Sequence, residues 1–173
     1  MALASYGYEG YQGIEQHMST RESALGLAAA LIITFGAAYV GSSFPVDDWY
    51  DALSKPPWNP PNWLFGPVWG VLYLLMAIAA WLVWRQNGLA GAAIPLGLFV
   101  LQLVLNGAWS WLFFGRHTLG VAFAEIVVLW VAILGTIIAF WRMNPTSGIL
   151  LVPYLLWVTF AAVLNLTLWR LNP

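Results

Sequence analysis

Five stretches of this chain, at about 22–43, 63–86, 92–114, 118–141 and 147–170, are almost wholly apolar. Each is close to the roughly 20 residues that an α-helix needs to cross the hydrocarbon layer of a bilayer. Within that layer every backbone amide must be satisfied internally, and for runs of this length only a helix does so. The expected fold is therefore an all-α integral membrane protein, a five-transmembrane-helix bundle formed by residues 22–173. An odd number of crossings places the two termini on opposite sides. The charges do not say which side is which. Arg21, Arg85 and Arg142 fall at one face and Lys55, Arg116 and Arg170 at the other, so the positive-inside rule is balanced. Residues 1–21 carry Gly, Tyr and Gln without apolar periodicity, and they read as a mobile tail that lacks the order of a signal peptide.

Composition excludes several classes of function. Only 8% of the residues are charged, against roughly 25% in soluble domains. The formal charge of -1 gives no basic field for nucleic acid. There is no cysteine, hence no disulfide, thiolate metal site or cysteine nucleophile. His17 and His117 are too few and too distant in sequence to suggest a metal cage. The twelve tryptophans are the unusual number, more than membrane-boundary belts alone account for.

Between the first two apolar runs lies WYDALSKPPWNPPNWLFGPVW, Trp49 to Trp69. Pro56, Pro57, Pro60 and Pro61 fix φ near -65° and push the residues before them toward extended conformations, which predicts a stiff, non-helical loop. Trp49, Trp58, Trp63 and Trp69 project from it as flat apolar bodies, each with one N–H donor. Such a segment is either an interfacial belt at headgroup level or a rigid aromatic lid over a pocket.

The helical stripes point to what that lid would cover. In the first run Gly26, Ala30, Thr34 and Ala38, with Ala29, Ala37 and Gly41 beside them, form small-residue rows that suit close helix packing inside the bundle or, second, across a dimer. The second run carries Trp69, Tyr73, Met76, Ala80 and Trp84 on one stripe and is expected to end in a short turn from Arg85 to Gly91. In the third, Gln102, Asn106, Trp109 and Phe113 share a face, and an amide in hydrocarbon must turn inward to find a partner. The fourth is notable only for Glu125, too deep for an N-terminal acid and so buried neutral, paired or facing water. In the fifth, Tyr154, Trp157, Ala161, Asn165 and Leu168 share a face that brings Trp157 toward Trp69.

These stretches carry a resemblance. WYDALSKPPWNPPNW with GPVWGVLY, QLVLNGAWSWLFFG, and the PYLLW of the last run resemble the TspO/translocator-protein family, the tryptophan-rich sensory proteins also called peripheral benzodiazepine receptors, from about Ala29 to Asn172. The resemblance implies a pocket, closed by the first loop, that binds protoporphyrin IX, haem and synthetic benzodiazepine-type ligands. Carried over, it makes Trp69 and Trp157 the indoles that grip the ligand. Trp49, Trp58, Tyr73 and Asn106 are further lining, with Trp109, Tyr154 and Ala161 added from the same faces. No obligatory cofactor and no metal site are implied. The partners it implies are a porphyrin-type small molecule, lipid and a second copy in a homodimer, in a bacterial cell envelope. Mammalian members end their last helix in a proposed sterol consensus that needs a tyrosine within about five residues of the final basic residue. Here that stretch reads LNLTLWR, without one.

Three functions stay open at this stage. The first is a sensory or transport protein that binds tetrapyrroles and regulates their level. The second is a light-dependent porphyrin-degrading enzyme using Trp69 and Trp157. The third is a structural membrane dimer whose ligand binding is incidental. No hydrolytic triad, metal-activated water or cofactor fingerprint is present, so an enzyme would have to rest on photochemistry of the bound pigment.

Overall fold

A computed structural model describes residues 19–173, and most of the expected N-terminal tail lies outside them. The described residues are all-helical: α1 (Thr20–Ser42), α2 (Asp48–Ala52), α3 (Phe65–Gly91), α4 (Ala93–Ser110), α5 (Leu119–Met143) and α6 (Pro145–Leu171). Five of these, all but α2, are long and apolar enough to cross a membrane. Around the bundle the neighbours run α1, α3, α6, α5, α4 and back to α1.

Helix ends follow local chemistry. α1 begins two residues earlier than its apolar run because Ser19 and Glu22 form a capping box, the Ser19 hydroxyl accepting from the Glu22 amide while the Glu22 carboxylate accepts from Ser19 N–H at 2.8 Å. α6 begins at Pro145, with the Asn144 side chain accepting from Ser147 N–H. The expected Arg85 to Gly91 turn is much tighter. Helix continues through it and breaks at Gly88, whose φ of 64° and ψ of -178° are open only to glycine. α4 runs on into a π-helical turn, Trp111–Gly115, and Arg116 N–H then donates to Trp111 O at 2.8 Å.

The proline-rich connection is less uniform than a loop. Its first part winds into α2, capped by the Asp47 side chain on Tyr50 N–H, and a 3₁₀ turn spans Asn62–Leu64. The helix-breaking prolines begin only at Pro56, so the residues before them remain free to coil. Pro56 and Pro60 are buried, and the segment lies across one end of the bundle as a cap.

The small stripe of α1 packs inward, the first of its two expected uses. A Cβ on Gly26 would collide with the Trp84 ring, and one on Gly41 would touch Ser110 Oγ at 3.4 Å. Gly97, near the start of α4 and one helical turn after Ala93, meets nothing within 4 Å and is exposed.

Candidate functional site

At the capped end the helices draw apart around a cavity of about 620 Å³. α3 contributes Phe65, Gly66, Trp69, Gly70 and Tyr73 to its wall. α4 adds Asn106, Trp109 and Ser110, α6 adds Trp157 and Ala161, and Phe35, Ala38 and Tyr39 come from α1. Phe44, Pro45 and Val46, where the chain leaves α1 for the cap, close one side. Among the described residues no charged side chain lines it.

Side-chain hydrogen bonds hold this end together. Tyr73 O–H donates to Asn106 Oδ1 at 2.6 Å, and Asn106 Nδ2 donates to the Tyr154 hydroxyl at 3.2 Å. One turn further, Trp109 Nε1 donates to Asn165 Oδ1 at 3.2 Å, and Asn165 Nδ2 donates to Leu119 O at 2.9 Å. Both asparagines are fully buried, so each would leave costly orphaned dipoles without these partners. The two chains pin α3, α4, α5 and α6 around the void, so its shape does not depend on filling it.

The aromatic rings line up along the same wall. Trp69 lies 5.4 Å from Tyr73 and meets Tyr154 edge-on at 6.2 Å. Trp157 contacts Phe65 edge-on at 6.0 Å and Phe160 at 5.4 Å. Trp81, Trp109 and Trp130 donate their N–H groups to protein oxygens. Among the described residues no protein acceptor is in place for Trp69 or Trp157, so the cavity holds two indole donors that a guest could use.

Of the nine residues expected at the site, the structure gathers Trp69, Tyr73, Asn106, Trp109, Trp157 and Ala161 into one wall. Tyr154 stands behind it, fully buried on Asn106. Trp49 and Trp58 sit in the cap away from the wall. Trp49 stacks on His117 at 4.0 Å, and Trp58 packs edge-on against Phe160, itself a neighbour of Trp157. Gln102 is buried but off the wall, its Nε2 3.9 Å from Met76 Sδ and its Oε1 unpartnered. Both Glu125 oxygens are buried without a hydrogen-bond partner among the described residues, so the carboxyl is not paired within the bundle.

Sequence reasoning missed the α1 contribution and the cap's attachments. Phe35 and Tyr39, four residues apart beside the small stripe, carried the only signal for the former. In the cap, Tyr50 is buried against Phe113 and Phe114 and donates its O–H to Asn59 Oδ1 at 2.9 Å. Burial pushes that phenol above the ordinary tyrosine range, so it stays protonated and able to donate. Among the described residues no three His, Cys, Asp or Glu side chains converge.

The TspO/MBR family profile matches residues 25–170. The chain is 42% identical over 141 residues to Protein CrtK of Rhodobacter capsulatus, covering 79% of this chain and 86% of that one. It is 41% identical over 139 residues to the Translocator protein of Homo sapiens, 78% of this chain and 82% of that one. With the Tryptophan-rich sensory protein of Cereibacter sphaeroides it shares 40% over 148 residues, 83% and 92% of the two chains. Five membrane-length helices, a tryptophan-rich cap and matches over most of the sequence lead to one assignment: the chain is a multi-pass membrane protein and belongs to the TspO/MBR family.

Proposed function

We propose that this protein binds a flat tetrapyrrole, protoporphyrin IX or haem, in the capped cavity and serves as a membrane sensor or carrier that regulates porphyrin levels in a bacterial envelope. The observation that carries this reading is the pair of indole N–H groups, Trp69 and Trp157, left without protein acceptors in one uncharged aromatic wall. Aromatic faces stack on a flat macrocycle at about 0.5–1.5 kcal/mol per pair beyond burial, and the free donors suit its carboxylates. The volume of about 620 Å³ falls in the ordinary range for small-molecule sites. Benzodiazepine-type ligands, smaller and also aromatic with carbonyl acceptors, suit the same wall.

Absorbance and Trp emission of the purified protein with protoporphyrin IX, in dark and in light, test the reading. Saturable quenching with an unchanged porphyrin band is expected. Bleaching that requires both light and Trp157 would move the assignment to photochemistry, and no response at all would leave a structural protein. We also propose a homodimer through the outward face of α4, where Gly97 has open space and Val104 is 63% exposed. Gly97→Leu should then shift the detergent-solubilised species to monomer by light scattering, whereas an unchanged mass would remove that face from consideration.

A further inference from the structure

The cap carries a second feature, which concerns how it is held. Among the described residues, side-chain hydrogen bonds tie residues 45–61 to the adjoining turn, where Asn62 Nδ2 donates to Asp51 Oδ1 at 3.3 Å, and to more distant parts of the bundle at two points. At the first, His117 Nε2 lies 3.2 Å from Asp47 Oδ2, with the His117 ring stacked on Trp49 and its backbone in the left-handed region at φ 54°. At the second, the Asn172 side chain reads the whole main-chain unit of Ser54. Asn172 Oδ1 accepts from Ser54 N–H at 2.9 Å, and Asn172 Nδ2 donates to Ser54 O at 3.1 Å and to Leu168 O at 2.8 Å.

We propose that Asn172 is a positioning residue that latches the cap onto the end of α6, holding the Phe44–Val46 wall closed against the cavity. Three observations converge on it. Ser54 immediately precedes Lys55-Pro56-Pro57, a stretch that cannot enter regular structure, so its N–H and C=O have no helical partner to return to. One primary amide satisfies both groups, as a neighbouring strand would, and fixes the orientation of the backbone as well as its position. The latch also rides on the helix that carries Trp157 and Ala161, so it holds one wall of the cavity to the segment that closes another. An asparagine that only capped its own helix would need the Leu168 bond alone.

The gating role rests on the ligand reading above, but the latch itself can be tested without any ligand. In the full chain reconstituted in nanodiscs, amide exchange across residues 53–55 is compared for wild type, Asn172→Ala, Ser54→Ala and Asn87→Ala. Asn87 makes the same type of bond to its own helix, on Val83 O at 2.9 Å, at the opposite end of the bundle, and so controls for loss of a helix-end bond. Asn172→Ala should expose the Ser54 amide to exchange. Ser54→Ala should not, because the bonds are to the backbone, and neither should Asn87→Ala. Stopped-flow Trp quenching should show protoporphyrin IX leaving Asn172→Ala about tenfold faster, with association changed less. Wild-type exchange at Ser54 in Asn172→Ala overturns the latch whether or not porphyrin binds. Faster exchange with unchanged porphyrin release overturns the closing role. Failure of wild type to bind porphyrin at all contradicts the ligand reading, and the exchange arm then decides the latch by itself.

Discussion

The two ends of the bundle hold voids of similar size, about 620 Å³ under the cap and about 530 Å³ at the opposite end between α1, α3 and α4. They differ in what faces the space. The far groove is walled by Leu25, Ala29, Ile33, Trp84 and Phe99 with Glu22 at its rim, and the Glu22 carboxylate is already occupied in the α1 capping box. The capped cavity presents the phenols of Tyr39 and Tyr73, the Asn106 amide, the Ser42 and Ser110 hydroxyls and, among the described residues, two indoles without a protein acceptor, Trp69 and Trp157, against one such indole, Trp84, in the far groove. The far end rests mainly on packing, with the Trp81 Nε1 bond to Ser23 O at 2.9 Å joining α3 to α1: the Trp84 ring lies against Gly26, and Phe99 stacks on Phe140 at 5.8 Å. Hydrogen bonds hold the near end open. Volume alone therefore does not distinguish a binding site from a lipid-filled groove, whereas the placement of polar groups does.

The largest test of that contrast removes a polar tie at each end. Asn106→Leu deletes two hydrogen bonds and leaves the Tyr73 and Tyr154 hydroxyls buried without their partner, which should cost about 2–5 kcal/mol. Asn87→Ala, at the far end, loses only a bond to its own helix at Val83 O and should cost under about 1 kcal/mol. Unfolding in detergent measures both, and equal losses would erase the distinction.

Glycines at the two ends should respond with opposite signs. Gly26→Ala drives a methyl into the Trp84 ring and should destabilise by about 1–3 kcal/mol. Gly70→Ala adds a methyl that meets nothing within 4 Å, on the cavity wall and inside a helix. It should stabilise the fold by about 0.5–1 kcal/mol while weakening porphyrin binding. Thermal midpoints and fluorescence titration would show it, and a Gly70→Ala variant that loses stability would mean that this glycine serves packing.

How much of this was legible in the sequence depended on the distance over which each interaction acts. Helix number and type were readable because hydrocarbon thickness and backbone satisfaction dictate them run by run. Six of the nine expected site residues line the wall; periodicity put Trp69 with Tyr73, Asn106 with Trp109 and Trp157 with Ala161 on shared helical faces, while the family resemblance supplied the expectation that they meet a ligand. Gly88 was hidden because a single positive-φ glycine can break a helix without any change in hydrophobic pattern. The places of Trp49 and Trp58 were hidden because proline rigidity constrains the backbone but does not aim a side chain. Trp49 turned toward His117, far along the chain, and Ser54 met Asn172 across 118 residues. No local spacing encodes such contacts.

The central claim is that porphyrin occupies the capped cavity and not the groove at the other end. The most direct measurement is fluorescence titration with protoporphyrin IX of Trp69→Phe, Trp157→Phe, their double variant and Trp84→Phe, each substitution keeping an aromatic ring and removing one N–H. Each cavity variant should weaken binding by about 1 kcal/mol, roughly fivefold, the double by about 2 kcal/mol, and Trp84→Phe should match wild type. Weakened binding in Trp84→Phe, with wild-type affinity in the cavity variants, would place the ligand in the far groove and contradict the account.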